Sequence, residues 1–122
     1  MDNCYPIQDL MLMMAARIEE VARSIDQNQI ECFLSEINTA ERIFVLGAGR
    51  SGFVAKSFGM RLMHLGMNAF VVGETVTPAF HPRDLLIAFS GSGKTKSVLE
   101  ACETTRQIGG DLCLITGTRD SP

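Results

Sequence analysis

Tryptophan is absent from this 122-residue chain and tyrosine occurs once. With aromatics at 7%, a core here has to be filled by aliphatic residues and methionine. A basic excess is also lacking: 11 lysines and arginines face 14 acids, for a net charge of −3. That argues against nucleic-acid or anionic-membrane binding, so any anion site has to be local. No apolar run reaches the length of a membrane span. The start, Met1-Asp2-Asn3-Cys4-Tyr5-Pro6, has no basic segment followed by an apolar one, and a signal peptide is not expected. Cys4, Cys32, Cys102 and Cys113 form no C-x-x-C pair, and only two histidines accompany them. Free thiols in a reducing, cytoplasmic compartment are expected, and no metal site.

What is present is the balance of an ordinary globular protein, with 46% hydrophobic and 20% charged residues. The length predicts a single domain over residues 1–122, burying roughly two-thirds of its unfolded surface. Met11, Met14, Ile18, Val21 and Ile25 alternate at spacings of three and four, an apolar helical stripe that Asp9 can cap. A second helix follows Asp26, with Ile30, Phe33, Leu34 and Ile37 on one face. From there the pattern becomes cyclic. Strands are predicted near 42–47, 69–73, 85–90 and 112–117, each a short apolar run. Helices are predicted over Ser51–Leu65, ended by Gly66, and from about Thr95 to Ile108, ended by Gly109-Gly110. Near-continuous apolar strands alternating with helices indicate a doubly wound α/β fold, a parallel sheet covered on both faces. The final Ser121-Pro122 reads as the cap and first position of another helix, so a domain incomplete at its C-terminus is expected.

Two loops carry the chemistry, and each follows a strand and opens a helix. They are Gly47-Ala48-Gly49-Arg50-Ser51-Gly52 and Ser90-Gly91-Ser92-Gly93-Lys94-Thr95. Helix-start N–H groups favour anions, glycines allow close approach, and the hydroxyls of Ser90, Ser92 and Thr95 add donors. Each hydrogen bond to a charged group contributes about 1.5–3 kcal/mol, so three or four could hold a phosphate monoester without an arginine clamp. The first loop also fits G-x-G-x-x-G, with Glu74 beyond the second strand in place of a ribose-binding acid; this is the dinucleotide-binding Rossmann alternative. Against it, the third strand carries its own hydroxyl-rich anion loop. Ala88 to Thr95 fits a loose Walker A, but alanine replaces the first glycine, and no later strand ends in an aspartate for magnesium.

The second loop resembles the S-x-S-G-x-T phosphate loop of the sugar isomerase (SIS) family, and Ser51 matches a serine that the family uses after the first strand. Three stretches further resemble the 6-phospho-3-hexuloisomerase branch: Gly47–Gly52, Met60-Arg61-Leu62-Met63-His64-Leu65-Gly66, and Val72-Gly73-Glu74-Thr75-Val76-Thr77-Pro78. The resemblance covers about Ile18 to Pro122. It implies strand order 2-1-3-4 with a fifth strand beyond this chain, and a phosphate bound by Ser51, Ser90, Gly91, Ser92, Gly93 and Thr95. Gly49, Arg50 and Gly52 would line the sugar. It implies a cofactor-free enediol proton shift between a 3-hexulose 6-phosphate and fructose 6-phosphate, in carbohydrate metabolism such as the ribulose monophosphate pathway. Further acid/base residues, a glutamate and a histidine, are expected beyond Pro122. Glu74 is the catalytic candidate within the chain. A non-catalytic, sugar-phosphate-binding regulatory module is the alternative.

Other residues have plainer readings. Glu74 can equally be a loop-ordering acceptor, His64 a core or interface residue, and His81 a solvated loop residue. Arg50 can meet the ligand or an acid across a subunit boundary. Lys94 is expected to face solvent or to add modest attraction for the anion. The apolar first helix predicts a homo-oligomer, a dimer or tetramer.

Overall fold

The structure is a computed structural model that describes residues 6–117. The chain divides into two compact units, residues 1–32 and 33–122. The first holds helix α1 (Ile7–Ser24), and helix α2 (Gln27–Thr39) follows. The second continues through β1 (Ile43–Gly47), α3 (Arg50–His64), β2 (Ala69–Val71), β3 (Leu85–Ser90), α4 (Lys96–Ile108) and β4 (Asp111–Thr116). The four strands form one parallel sheet in the order β2-β1-β3-β4, as expected. Observed boundaries lie within two residues of those expected.

The sheet is built on β-branched and aromatic runs. β3 is buried along its whole length, and Ile43, Phe44 and Val45 are buried in β1. Ile43, Val45, Leu85, Ile87 and Phe89 pack with Ala55 and Leu62 of α3 and with Ile37 of α2. Phe58 joins them, its ring 5.7 Å from that of Phe89. Phe44 packs on Phe70 and on Phe80 of the long β2–β3 connection. Helix α4 packs on β3 and β4. The β1-α3-β2 and β3-α4-β4 crossovers run toward opposite sheet edges, so right-handed connections place α3 and α4 on opposite faces.

Helix punctuation departs from expectation in places. Asp9 does not cap α1; the helix starts at Ile7 behind Pro6, whose extended backbone (ψ 137°) sets the entry, and Asp9 lies inside the first turn. Asp26 does cap α2, its Oδ1 accepting from the Asn28 N–H at 2.9 Å. Gly66 and Gly109 are left-handed (φ 87° and 91°) behind α3 and α4. His64 is exposed rather than in the core, because α3 turns Ala55, Gly59 and Leu62 inward. β2 ends at Val71, where the chain turns through Gly73 (φ 94°).

At the N-terminal edge of the sheet, Arg42 and Asp84 directly precede β1 and β3. Arg42 Nε donates to Asp84 Oδ1 at 3.0 Å, Nη2 donates to Oδ2, and Nη2 also reaches the Ala79 carbonyl at 2.9 Å. The His81 N–H donates to Asp84 Oδ2 at 2.7 Å. The guanidinium carbon lies 5.2 Å from the Phe44 ring centroid. Asp84 is 2% exposed. Burial pushes its pKa up, but the Arg42 and His81 hydrogen bonds and the Arg42 charge outweigh that and hold it below the usual carboxylate value.

A lowered folded pKa means that the ionised carboxylate stabilises the fold at all pH values above the unfolded value, about 3.9. That stabilisation is lost as pH falls through the lower folded value. Chemical denaturation across pH 2–6 should therefore show an acid limb that Asp84→Asn flattens. Asp84→Ala should lower stability at pH 7 by about 1.5–3 kcal/mol, since charged hydrogen bonds are lost while Arg42 keeps some access to water.

Candidate functional site

Both glycine-rich loops leave the carboxyl ends of adjacent strands. The β1–β3 register sets Gly47 opposite Phe89, so the 47–52 loop and the 90–95 loop stand side by side. The chain reverses direction across the sheet between β1 and β3, and ligands in open α/β sheets bind at such a switch point. The order 2-1-3-4 also differs from a Rossmann half, in which β3 lies outside β2, and this weakens the dinucleotide alternative.

The first loop is held by close backbone packing. A Cβ on Gly47 would fall 2.4 Å from the Ser51 carbonyl oxygen, and one on Gly52 would fall 2.9 Å from the Gly47 oxygen. The first turn of α3 thus rests directly on the end of β1, which only glycine allows. Gly49 precedes the helix at φ 57° with no side-chain cap, and the Gly52 N–H donates to the Ala48 and Gly49 carbonyls at 3.3 and 3.0 Å. Ser51 is half-buried and Arg50 is exposed.

The second loop is closed on itself. Ser90 is 3% exposed; its Oγ lies 2.9 Å from Thr95 Oγ1 and accepts from the Gly93 N–H at 3.1 Å. Ser92 is exposed, and its Oγ accepts from the Lys94 N–H at 3.1 Å. Gly91 is tied to the end of β4, its carbonyl accepting from the Gly117 N–H at 3.0 Å. Thr95 stands at the start of α4 and makes no side-chain cap there. Lys94 is exposed, as expected.

A cleft of about 350 Å³ opens between the first loop and the end of β2, lined by Gly47, Gly49, Gly52, Phe53, Lys56, Val72, Gly73 and Glu74. It brings Glu74 to the first loop, whereas Ser90, Ser92 and Thr95 stand outside it beside β3. Glu74 Oε1 lies 3.6 Å from Lys56 Nζ, with both side chains about half exposed. The loop after β2 is ordered by other groups: the Thr77 hydroxyl donates to the Val71 carbonyl and the Thr77 N–H to the Glu74 carbonyl. Lys56 and Phe53 were not singled out from sequence. Lys56 stands four residues after Gly52 and three after Phe53, spacings that put it beside both on α3, and that was the available signal. Among the described residues no cluster of His, Cys, Asp and Glu could hold a metal ion, and no helix is long and apolar enough to cross a membrane.

A family model described as SIS domain matches residues 36–122, from the end of α2 onward. The chain belongs to the SIS domain family. The 3-hexulose-6-phosphate isomerase of Mycobacterium gastri is 37% identical over 95% of this SIS chain and 58% of its own length. That of Methanocaldococcus jannaschii is 43% identical over 73% of this chain and 49% of its own. The SIS chain thus spans roughly half to three-fifths of these relatives. Among solved structures, the Vibrio vulnificus NanR protein complexed with ManNAc-6P aligns over 99% of the SIS chain and 48% of its own, with TM-score 0.85 and 25% identity.

The packing of Gly47 supplies a test of the site's framework. Gly47→Ala should displace the first turn of α3 and cost about 1–3 kcal/mol. Gly91→Ala should be near neutral for stability, since its added Cβ meets nothing within 4 Å. Thermal denaturation of both variants measures the difference.

Proposed function

We propose that this SIS chain binds a sugar phosphate at the β1–β3 switch point and serves the isomerisation of a 3-hexulose 6-phosphate to fructose 6-phosphate. The observation that carries the reading is the pairing of two helix-opening loops at that point, one glycine-packed and one hydroxyl-rich. The named isomerases among its relatives support the reaction class.

In this proposal the phosphate sits at the start of α4. Ser92, Thr95, Ser90 and the N–H groups around Gly91 and Gly93 hold it, and Ser51 approaches from the first loop. The anion competes for the Ser90–Thr95 hydrogen bond, and the freed hydroxyls turn to it. The sugar extends past Gly49, Arg50 and Gly52 toward the cleft. Isomerisation removes a proton from the carbon beside the carbonyl, passes through an enediolate, and returns a proton to the neighbouring carbon. Glu74 is the carboxylate lining the cleft and is assigned as a base. Lys56, 3.6 Å away, supplies positive charge where the enediolate oxygens develop. No cofactor is required by this route. Cys32 and Cys102 are free thiols, which suits a reducing cytoplasm.

A second reading keeps the ligand and drops the chemistry. It draws on the likeness to NanR, solved with a sugar phosphate. Binding without turnover would favour it.

Calorimetry with fructose 6-phosphate, a nicotinamide dinucleotide and ATP, together with a hexulose-phosphate turnover assay, separates the readings. Fructose 6-phosphate should bind and the nucleotides should not. Ser92→Ala should weaken sugar-phosphate binding by about tenfold or more, and Lys94→Ala much less. If Lys94→Ala abolishes nucleotide binding while Ser92→Ala leaves sugar-phosphate binding intact, the loop assignment is wrong. Glu74→Gln should cut any turnover by about 10²–10⁴ with binding retained; undiminished turnover would remove Glu74 from the chemistry.

A further inference from the structure

Strand β4 lies at the edge of the sheet beside β3, and β1 stands on the other side of β3. The Asp111 N–H donates to the Asp84 carbonyl at 3.1 Å, so alternate residues of β4 turn their N–H groups to β3. Carried along by twos, that ladder would bring the Gly117 N–H to the Ser90 carbonyl. It meets the Gly91 carbonyl instead, one residue further, at 3.0 Å. The Thr116 hydroxyl reaches the same oxygen at 3.4 Å. The Ser90 carbonyl is left to the Gly93 N–H at 3.1 Å, which closes the loop. A Cβ on Gly117 would stand 3.0 Å from the Gly91 oxygen, so glycine gives the N–H its approach.

We propose, on the reading that the phosphate sits at the start of α4, that Gly117 is a positioning residue for it. By holding the Gly91 carbonyl, Gly117 aims the Ser92 N–H at the anion. The Gly91–Ser92 peptide is planar and trans, so its N–H points opposite to its carbonyl. With the carbonyl turned to β4, the Ser92 N–H is turned away from β4, to the side of β3 on which the 47–52 loop stands. Ser51 approaches from that same side in the proposed site. Ser92 is exposed, and among the described residues nothing accepts from its N–H. The Gly93 and Lys94 N–H groups are already taken, by Ser90 and by the Ser92 hydroxyl. A ligand phosphate therefore finds the Ser92 N–H free, with its direction set from β4. A donor fixed before the anion arrives needs no ordering when it binds, and that is the physical gain from the tether.

The test follows the amide signals of the full chain by NMR as fructose 6-phosphate is added. In the wild type the Ser92 amide proton should move downfield. Gly117→Pro removes the tethering N–H. It should abolish that movement and raise the dissociation constant about tenfold or more. Asp111→Pro removes a β4-to-β3 donor at the far end of the same strand. It should lower thermal stability at least as much, yet leave the Ser92 movement and the affinity unchanged. Should Gly117→Pro fail to fold, an ester in place of the Thr116–Gly117 peptide removes the same N–H without a ring. Joining residues 1–112 to a synthetic 113–122 peptide at Cys113 installs it in the full chain. Retained movement and affinity in a folded chain lacking the N–H overturn the tether alone. Equal loss in both proline variants reduces the contact to strand stability and also overturns it. A wild-type Ser92 amide that ignores the sugar phosphate overturns the tether and the phosphate assignment together.

Discussion

The bidentate contact between Arg42 and Asp84 governs the rest of the sheet. Both residues stand one position ahead of their strands, so joining them aligns Ile43 with Leu85 at the first rung. Parallel pairing carries that alignment to the far end, where Gly47 meets Phe89 and the two loops emerge together. A slip of one residue would turn every strand side chain to the other face and would separate the loops. The clasp also anchors the β2–β3 connection through Ala79 and His81, where no helix is present to do so.

The division of labour between the two loops follows from their chemistry. The first is shaped by what it lacks: two missing Cβ atoms let α3 sit on the strand end. The second is shaped by what it has, since the hydroxyls of Ser90 and Thr95 close the loop on itself. Neither depends on a buried charge for its shape. The charged pair in the region, Lys56 and Glu74, lines the cleft with both side chains about half exposed, where its mutual attraction is modest.

Much of the fold was legible because the strands are apolar throughout and their ends are marked by glycine. Leu85–Ser90 and Ile43–Gly47 could hardly be anything but central strands once a parallel sheet was inferred. The start of α1 was misjudged because proline set the helix entry, a backbone effect that competes with the usual preference for a capping acid. The core reading of His64 failed because its neighbours in sequence, Met63 and Leu65, are themselves exposed (53% and 74%), so an apolar context was no sign of burial in the core. At the site, the loops were legible as motifs, but the cleft was not. It depends on how α3 lies against the turn after β2, and only the structure brings Lys56 to Glu74. The Arg42–Asp84 contact was invisible for the same reason: its partners are 42 residues apart.

β2 forms one edge of the sheet and is only three residues long, cut short where the Thr77 hydroxyl takes the Val71 carbonyl and Gly73 turns the chain. A strand so brief offers a neighbouring molecule few free backbone groups on which to template a new strand. The same turn that delivers Glu74 to the cleft therefore also blunts this margin of the sheet against edge-to-edge aggregation.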